Sequence, residues 1–143
     1  MKAFVSAVLL LVSLQGSGVA QAQTPENLEE AAITAAEAGD YPQAETLWKK
    51  LLELNPQDAD VYYNLGVTYG LSGRLPEAIA TFSHYLTLQP NDPEGYSHLG
   101  AAYFRQGDWA EAVANYEKAL TLDPTLPEIA DNLAAARQKL ASP

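Results

Sequence analysis

Apolar and polar positions follow a helical rhythm along most of the chain. Over residues 59–72, Tyr62, Leu65, Gly66 and Tyr69 fall three and four apart. That is one stripe of a 3.6-residue helix and not the alternation of a strand. Gly73 follows, a residue that takes positive φ without a Cβ clash and so can end the helix. A second helix is predicted from about Pro76, where the missing N–H costs nothing in a first turn. It carries Ala78, Ile79, Phe82 and Leu86 on its apolar side and stops at Leu88, ahead of Pro90, whose ring disfavours helix in the preceding residue. The stretch reads as a helical hairpin.

The hairpin recurs. Gly39, Gly73 and Gly107 are 34 residues apart, as are Ala44, Ala78 and Ala112, and Pro56, Pro90 and Pro124. Residues 59–92 and 93–126 are identical at 12 of 34 aligned positions. Residues 25–58 fit the same frame more loosely, with Asp40 as the expected N-cap and Pro42 just inside its second helix. In the third unit Asp108 takes the cap place and Trp109 the first apolar position. Residues 127–140 repeat only the first half of the unit and predict one closing helix, with Ile129, Leu133 and Leu140 turned back onto the third hairpin. Arg137 stands there at the register of Tyr69 and Tyr103. A cation at that place is costly to bury, so the array is expected to end on this helix.

The order Tyr62, Leu65, Gly66, Tyr69, Ala78, Phe82, Pro90 resembles the tetratricopeptide repeat, and Tyr96, Leu99, Gly100, Tyr103, Ala112, Tyr116, Ala119, Pro124 repeats it. The resemblance covers about residues 25–140. It implies an all-α, right-handed α-solenoid of helix-turn-helix hairpins: three repeats (25–58, 59–92, 93–126) plus a C-terminal capping helix (127–140). The first unit departs from the pattern with Leu28, Ala31, Ala32 and Ala35 where bulkier residues are usual, and the second with Tyr85 where a small residue is expected. Gly66, Gly100, Ala78 and Ala112 are expected at the close approach of the two helices within a hairpin. Tyr62, Tyr69, Phe82, Tyr96, Tyr103 and Tyr116 are expected to fill the space between hairpins.

The N-terminus follows another pattern. Lys2 precedes an apolar run over residues 3–14, then a small polar stretch, then Ala20-Gln21-Ala22. This order predicts a signal peptide over residues 1–22, cleaved before Gln23, and an exported protein, periplasmic or secreted, with its repeat domain over residues 23–143. The run makes roughly 18 Å of helix against about 30 Å of hydrocarbon, so stable membrane insertion is not expected, although a retained anchor is the competing reading. There is no cysteine, hence no disulfide. No N-x-[ST] sequon occurs, which favours a bacterial envelope.

Charge narrows the partners. Eighteen acidic residues face eight basic ones, for a net charge of −10, and loss of Lys2 with the leader takes it to −11. The remaining cations are scattered, so nucleic acid, whose binding needs cations to displace counterions, is excluded as a partner. Two histidines and no cysteine leave little for catalysis, and no HExxH, P-loop or GxGxxG sequence is present. Acid pairs such as Asp58 and Asp60 lack the frame of a calcium loop and read as N-terminal acids beside a helix dipole. The chain is not expected to be an enzyme or to hold a cofactor or metal.

What remains is the groove. By resemblance, the first helix of each hairpin lines a concave face through its second, fifth, sixth, ninth, twelfth and thirteenth positions. These fall here on Glu26, Glu29, Glu30 and Ile33; on Asp60, Tyr63, Asn64, Val67 and Leu71; on Glu94, Ser97, His98, Ala101, Phe104 and Arg105; and on Glu128, Asp131, Asn132 and Ala135. Asn64, His98 and Asn132 are 34 apart and form a polar ladder, suited to clamping the backbone of an extended peptide or simply to a wet face. Tyr63, Val67, Leu71 and Phe104 are apolar side chains with no evident place in the core, the mark of a binding surface.

The family's best-known mode, a clamp of lysines, an arginine and asparagines around a C-terminal carboxylate, fails on this sequence. Asn64 occupies one clamp position, and the others read Glu29, Ile33, Glu94 and His98. The expectation is a monomeric, non-catalytic scaffold that binds a neutral or basic peptide segment of another protein. The alternative is a structural subunit docked permanently into a larger envelope or secretion assembly.

Overall fold

Each predicted turn forms for the reason the sequence supplies. Gly39, Gly73 and Gly107 have φ of 78°, 77° and 93°. Around each, the glycine N–H donates to the carbonyl three residues back, and the following N–H to the carbonyl five back: Asp40 to Ala35, Arg74 to Tyr69, Asp108 to Tyr103. This Schellman arrangement satisfies the last carbonyls of one helix and turns the chain directly into the next.

The computed structural model describes residues 24–142 and holds, among them, seven helices and no strand. They are α1 (Pro25–Glu37), α2 (Tyr41–Leu54), α3 (Ala59–Leu71), α4 (Leu75–Leu88), α5 (Pro93–Gln106), α6 (Trp109–Leu122) and α7 (Pro127–Ala141). The signal peptide expected over residues 1–22 lies outside the described residues. Asp40 caps α2 by accepting from the Gln43 N–H at 3.2 Å, and Asp58 caps α3 by accepting from the Val61 N–H at 3.3 Å. Asp108 sits at the N-cap of α6 without a capping side-chain bond. No helix among the described residues is long and apolar enough to cross a membrane.

Every helix packs on its neighbours in the chain, and α3 also touches α5, as α5 touches α7. The result is an all-α solenoid of hairpins, with first helices on one side and second helices on the other. Inside each hairpin the small residues do what the pattern requires. A Cβ on Gly66 would stand 2.9 Å from the Phe82 ring, and one on Gly100 2.9 Å from the Tyr116 ring. Phe82 and Tyr116 therefore fill the space that a missing Cβ opens inside their own hairpins, and each also reaches the next hairpin, Phe82 by stacking on His98 and Tyr116 by joining the cluster of Ile129 and Leu133. Between hairpins, Trp48 is 1% exposed and donates from Nε1 to Thr68 Oγ1 at 3.1 Å, joining α2 to α3.

One expectation at the C-terminal end is corrected. Ile129 and Leu133 are buried on α7, but Leu140 is 50% exposed; Ala136, seven residues after Ile129, takes the third inward place. Arg137 is exposed and paired with Glu117 on α6 at 2.7 Å.

Candidate functional site

Positions 34 apart on the first helices α1, α3, α5 and α7 form rows across their shared face. One row is Glu26, Asp60, Glu94 and Glu128, all exposed and each in the first turn of its helix. The positive end of each helix macrodipole steadies them. Two turns along, a second row is Ile33, Val67, Ala101 and Ala135, all half-buried. Between the two runs Glu30, Asn64, His98 and Asn132.

His98 is the pivot of this face. Its ring stacks on Phe82 at 5.2 Å and 5° between planes, and its Nε2 shares a hydrogen bond with the Tyr63 hydroxyl at 2.9 Å. The imidazole is thus fixed within the core edge and is not an open rung of the ladder. Two clefts meet at it. One, of about 440 Å³, is walled by Glu94, Ser97, Glu128, Leu126 and Ile129; the other, of about 140 Å³, by Val67, Gly70, Leu71, Ala101 and Arg105 among others.

The residues singled out from sequence divide accordingly. Glu94, His98, Val67, Leu71 and Arg105 border the clefts, and Leu71 is 59% exposed. Asn64 is half-buried, and its carbonyl accepts from Thr68 Oγ1; Asn132 is exposed on α7. Tyr63 and Phe104 are corrected, since both have a place in the packing. Tyr63 meets Tyr85 edge-on at 5.4 Å and Phe82 at 6.1 Å, a wedge between α4 and α5. Phe104 meets Trp109 edge-on at 5.2 Å and covers the α5–α6 turn. Arg105 donates from Nη1 to the Gly70 carbonyl at 2.6 Å. Helix α3 has no basic residue in its own last turn, so the next hairpin supplies the cation that the negative helix end favours. Gly70 and Leu126 were not legible as cleft walls, although Gly70 occupies a lining position by register.

Seven acids (Glu26, Glu29, Glu30, Asp60, Glu94, Glu128, Asp131) stand exposed at the lining positions near the helix N-termini. The opposite edge carries Arg105 and Lys139 beside Glu37. Among the described residues no three of His, Asp and Glu are gathered to hold a metal ion.

Two tetratricopeptide-repeat family models match the chain, over residues 29–93 and 93–126. The chain belongs to the tetratricopeptide repeat family, whose domains are typically non-catalytic interaction modules. Among solved structures it is similar to the first such domain of Spaghetti (RPAP3) bound to the HSP90 peptide SRMEEVD, with 25% identity over 85% of this chain and 97% of that one, and a TM-score of 0.78. It is similar in fold to the Yersinia enterocolitica type III secretion translocator chaperone SycD (22% identity, 85% and 98% covered, TM-score 0.76). The TPR2B domain of yeast Sti1, in its pHsp70 complex, shares the fold too (22%, 80% and 97%, TM-score 0.74). No curated protein sequence matches the chain closely enough to count as a relative.

Proposed function

We propose that this chain is an exported, monomeric adaptor that binds a neutral or basic peptide segment of another protein along the face of its first helices. The observation that carries the reading is the joined pair of clefts around His98, walled by α3, α5 and α7 and edged by carboxylates with no opposing cluster of cations. The similar domains solved in complex with an HSP90 peptide and with pHsp70 support peptide capture as the type of activity. The positions of the carboxylate clamp point away from an acidic peptide end. Glu29 and Glu94 would repel it, and the imidazole of His98 is engaged with Tyr63 and Phe82. The order of charge, apolar run and Ala20-Gln21-Ala22 supports an envelope or secreted setting.

Site-specific photo-crosslinking tests the groove. A photoreactive residue at Leu71 or Asn132 should trap the partner in the native host, while one at Ser83 or Glu117 on the outer helices α4 and α6 should not. Trapping from the outer helices alone would replace this reading with the permanently docked subunit.

A further inference from the structure

The acid row and the apolar row run side by side, and that arrangement specifies how a ligand lies across the groove. On α5 the two come within one helix: Glu94 walls the larger cleft, Ala101 the smaller, and His98 borders both. A segment seated over His98 therefore has carboxylates along one of its edges and Ile33, Val67, Ala101 and Ala135 under the other. Building on the groove reading above, we propose that the occupant is an extended segment with lysine or arginine at about every third position and small apolar residues between, its cations lying along Glu26, Asp60, Glu94 and Glu128.

The period follows from spacing. Packed helices lie about 8–10 Å apart. An extended polyproline-II strand returns to the same side every three residues, an advance of about 9 Å. Where first helices touch, α3 with α5 and α5 with α7, one cation per helix is then in step with one carboxylate per helix. Charge complementarity fixes the sign, because seven acids face the ligand from this edge and Arg105 is already taken by the Gly70 carbonyl. A second copy of the chain is a poor occupant. Lys49, Arg74 and Arg137 are held in ion pairs with Glu45 and Glu117, and no basic patch is on offer.

The probe is a capped twelve-residue peptide with lysine at every third position and alanine, valine and leucine elsewhere, measured by calorimetry against the purified protein. Controls are a peptide of the same composition with its four lysines contiguous and one with glutamate for lysine. The spaced peptide should bind at least about fivefold more tightly than the contiguous one at low salt, and the glutamate peptide should not bind. Neutralising Glu94→Gln with Glu128→Gln should weaken the spaced peptide by about five- to tenfold, the range of two exposed charge contacts, with only the small loss of stability that removing acids from helix N-termini brings. Asp60→Asn serves as an independent second variant if that pair disturbs the fold, with a smaller loss expected. Equal binding of the spaced and contiguous peptides, or indifference to the neutralised row, overturns the proposal. Should Leu71 crosslink a natural partner while the lysine peptide fails, the groove stands and this orientation is wrong. If amide shifts on peptide addition map to α4 and α6, both readings fall.

Discussion

The ring of Tyr85 occupies the space that a side chain at position 95 would need: a Cβ on Gly95 would lie 2.7 Å from Tyr85 Cε1 and 2.8 Å from Leu86 Cδ2. Tyr85 is 1% exposed, and its hydroxyl donates to the Asp92 carboxylate at the start of α5. At the equivalent junctions the pairs are Leu51 with Val61 and Ala119 with Ile129. A large residue on one helix goes with a small one on the next, so each junction is filled with a different division of volume. The unusual tyrosine of the second repeat and the unusual glycine of the third are one feature.

Gly95→Val should therefore destabilise the domain by about 1–3 kcal/mol, through overpacking and the restricted rotamer of a β-branched residue. Adding Tyr85→Leu recreates the Leu51–Val61 pair and should recover part of that loss. A double-mutant cycle by urea denaturation reads the coupling, and strictly additive effects would show that the two positions do not share one space.

This pairing marks the limit of what the sequence discloses. The hairpins were legible because each turn needs a glycine at positive φ and each close approach a missing side chain, and both needs recur every 34 residues. The partners across a junction are ten residues apart and on different helices, so no periodicity links them. The same holds at the groove. Tyr63 and Phe104 read as apolar side chains outside the core because their neighbours, Tyr85 and Trp109, reach them from the following helices, and Arg105 read only as a lining position because its partner is a carbonyl. Rows of residues followed from register; which members of a row are already engaged followed only from packing.

Within the third hairpin, Ala112 is fully buried. Ala112→Leu should cost about 1–3 kcal/mol, a fall of several degrees in melting temperature for a domain of this size, measured by circular dichroism. An unchanged melting curve would contradict the close approach of α5 and α6.

Glu45 links the first two hairpins. Its carboxylate accepts from Lys49 at 2.7 Å, from the Tyr69 hydroxyl at 2.9 Å and from Arg74 at 2.5 Å. The Lys49 bond, opposed by partial burial and aided by Tyr69 and the two cations, holds its pKa below the ordinary glutamate value. A carboxylate lowered in the folded state stabilises above its unfolded pKa of about 4.3, and loses that contribution as pH falls through the folded value. Glu45→Gln should thus be less stable than the parent by about 1 kcal/mol at pH 7, and the gap should narrow as pH falls below the unfolded value. A gap that persists at low pH would place the effect in packing, not charge.

Protein isolated from its native host should begin at or near Gln23 and be found outside the cytoplasm, which N-terminal sequencing of fractionated cells reads directly. A chain that starts at Met1 would remove the export signal from the proposal.

Arg105 separates a structural cation from a ligand-binding one. Its guanidinium bonds the Gly70 carbonyl, one of the last in α3, and it borders the smaller cleft. If its role is to close the negative end of α3, Arg105→Ala should lower stability by about 0.3–1 kcal/mol, and the loss should shrink as salt screens the helix end. Arg105→Lys should retain the charge but recover only part of the stability, since the ammonium lacks the planar fork that reaches the carbonyl. Removing a cation from the groove should leave the affinity for a lysine-bearing peptide unchanged or slightly raised. The two quantities, melting temperature and peptide affinity, are read on the same two variants. A variant that keeps its stability yet loses peptide binding would reassign Arg105 to the ligand and reverse the charge expected of the partner at that end of the groove.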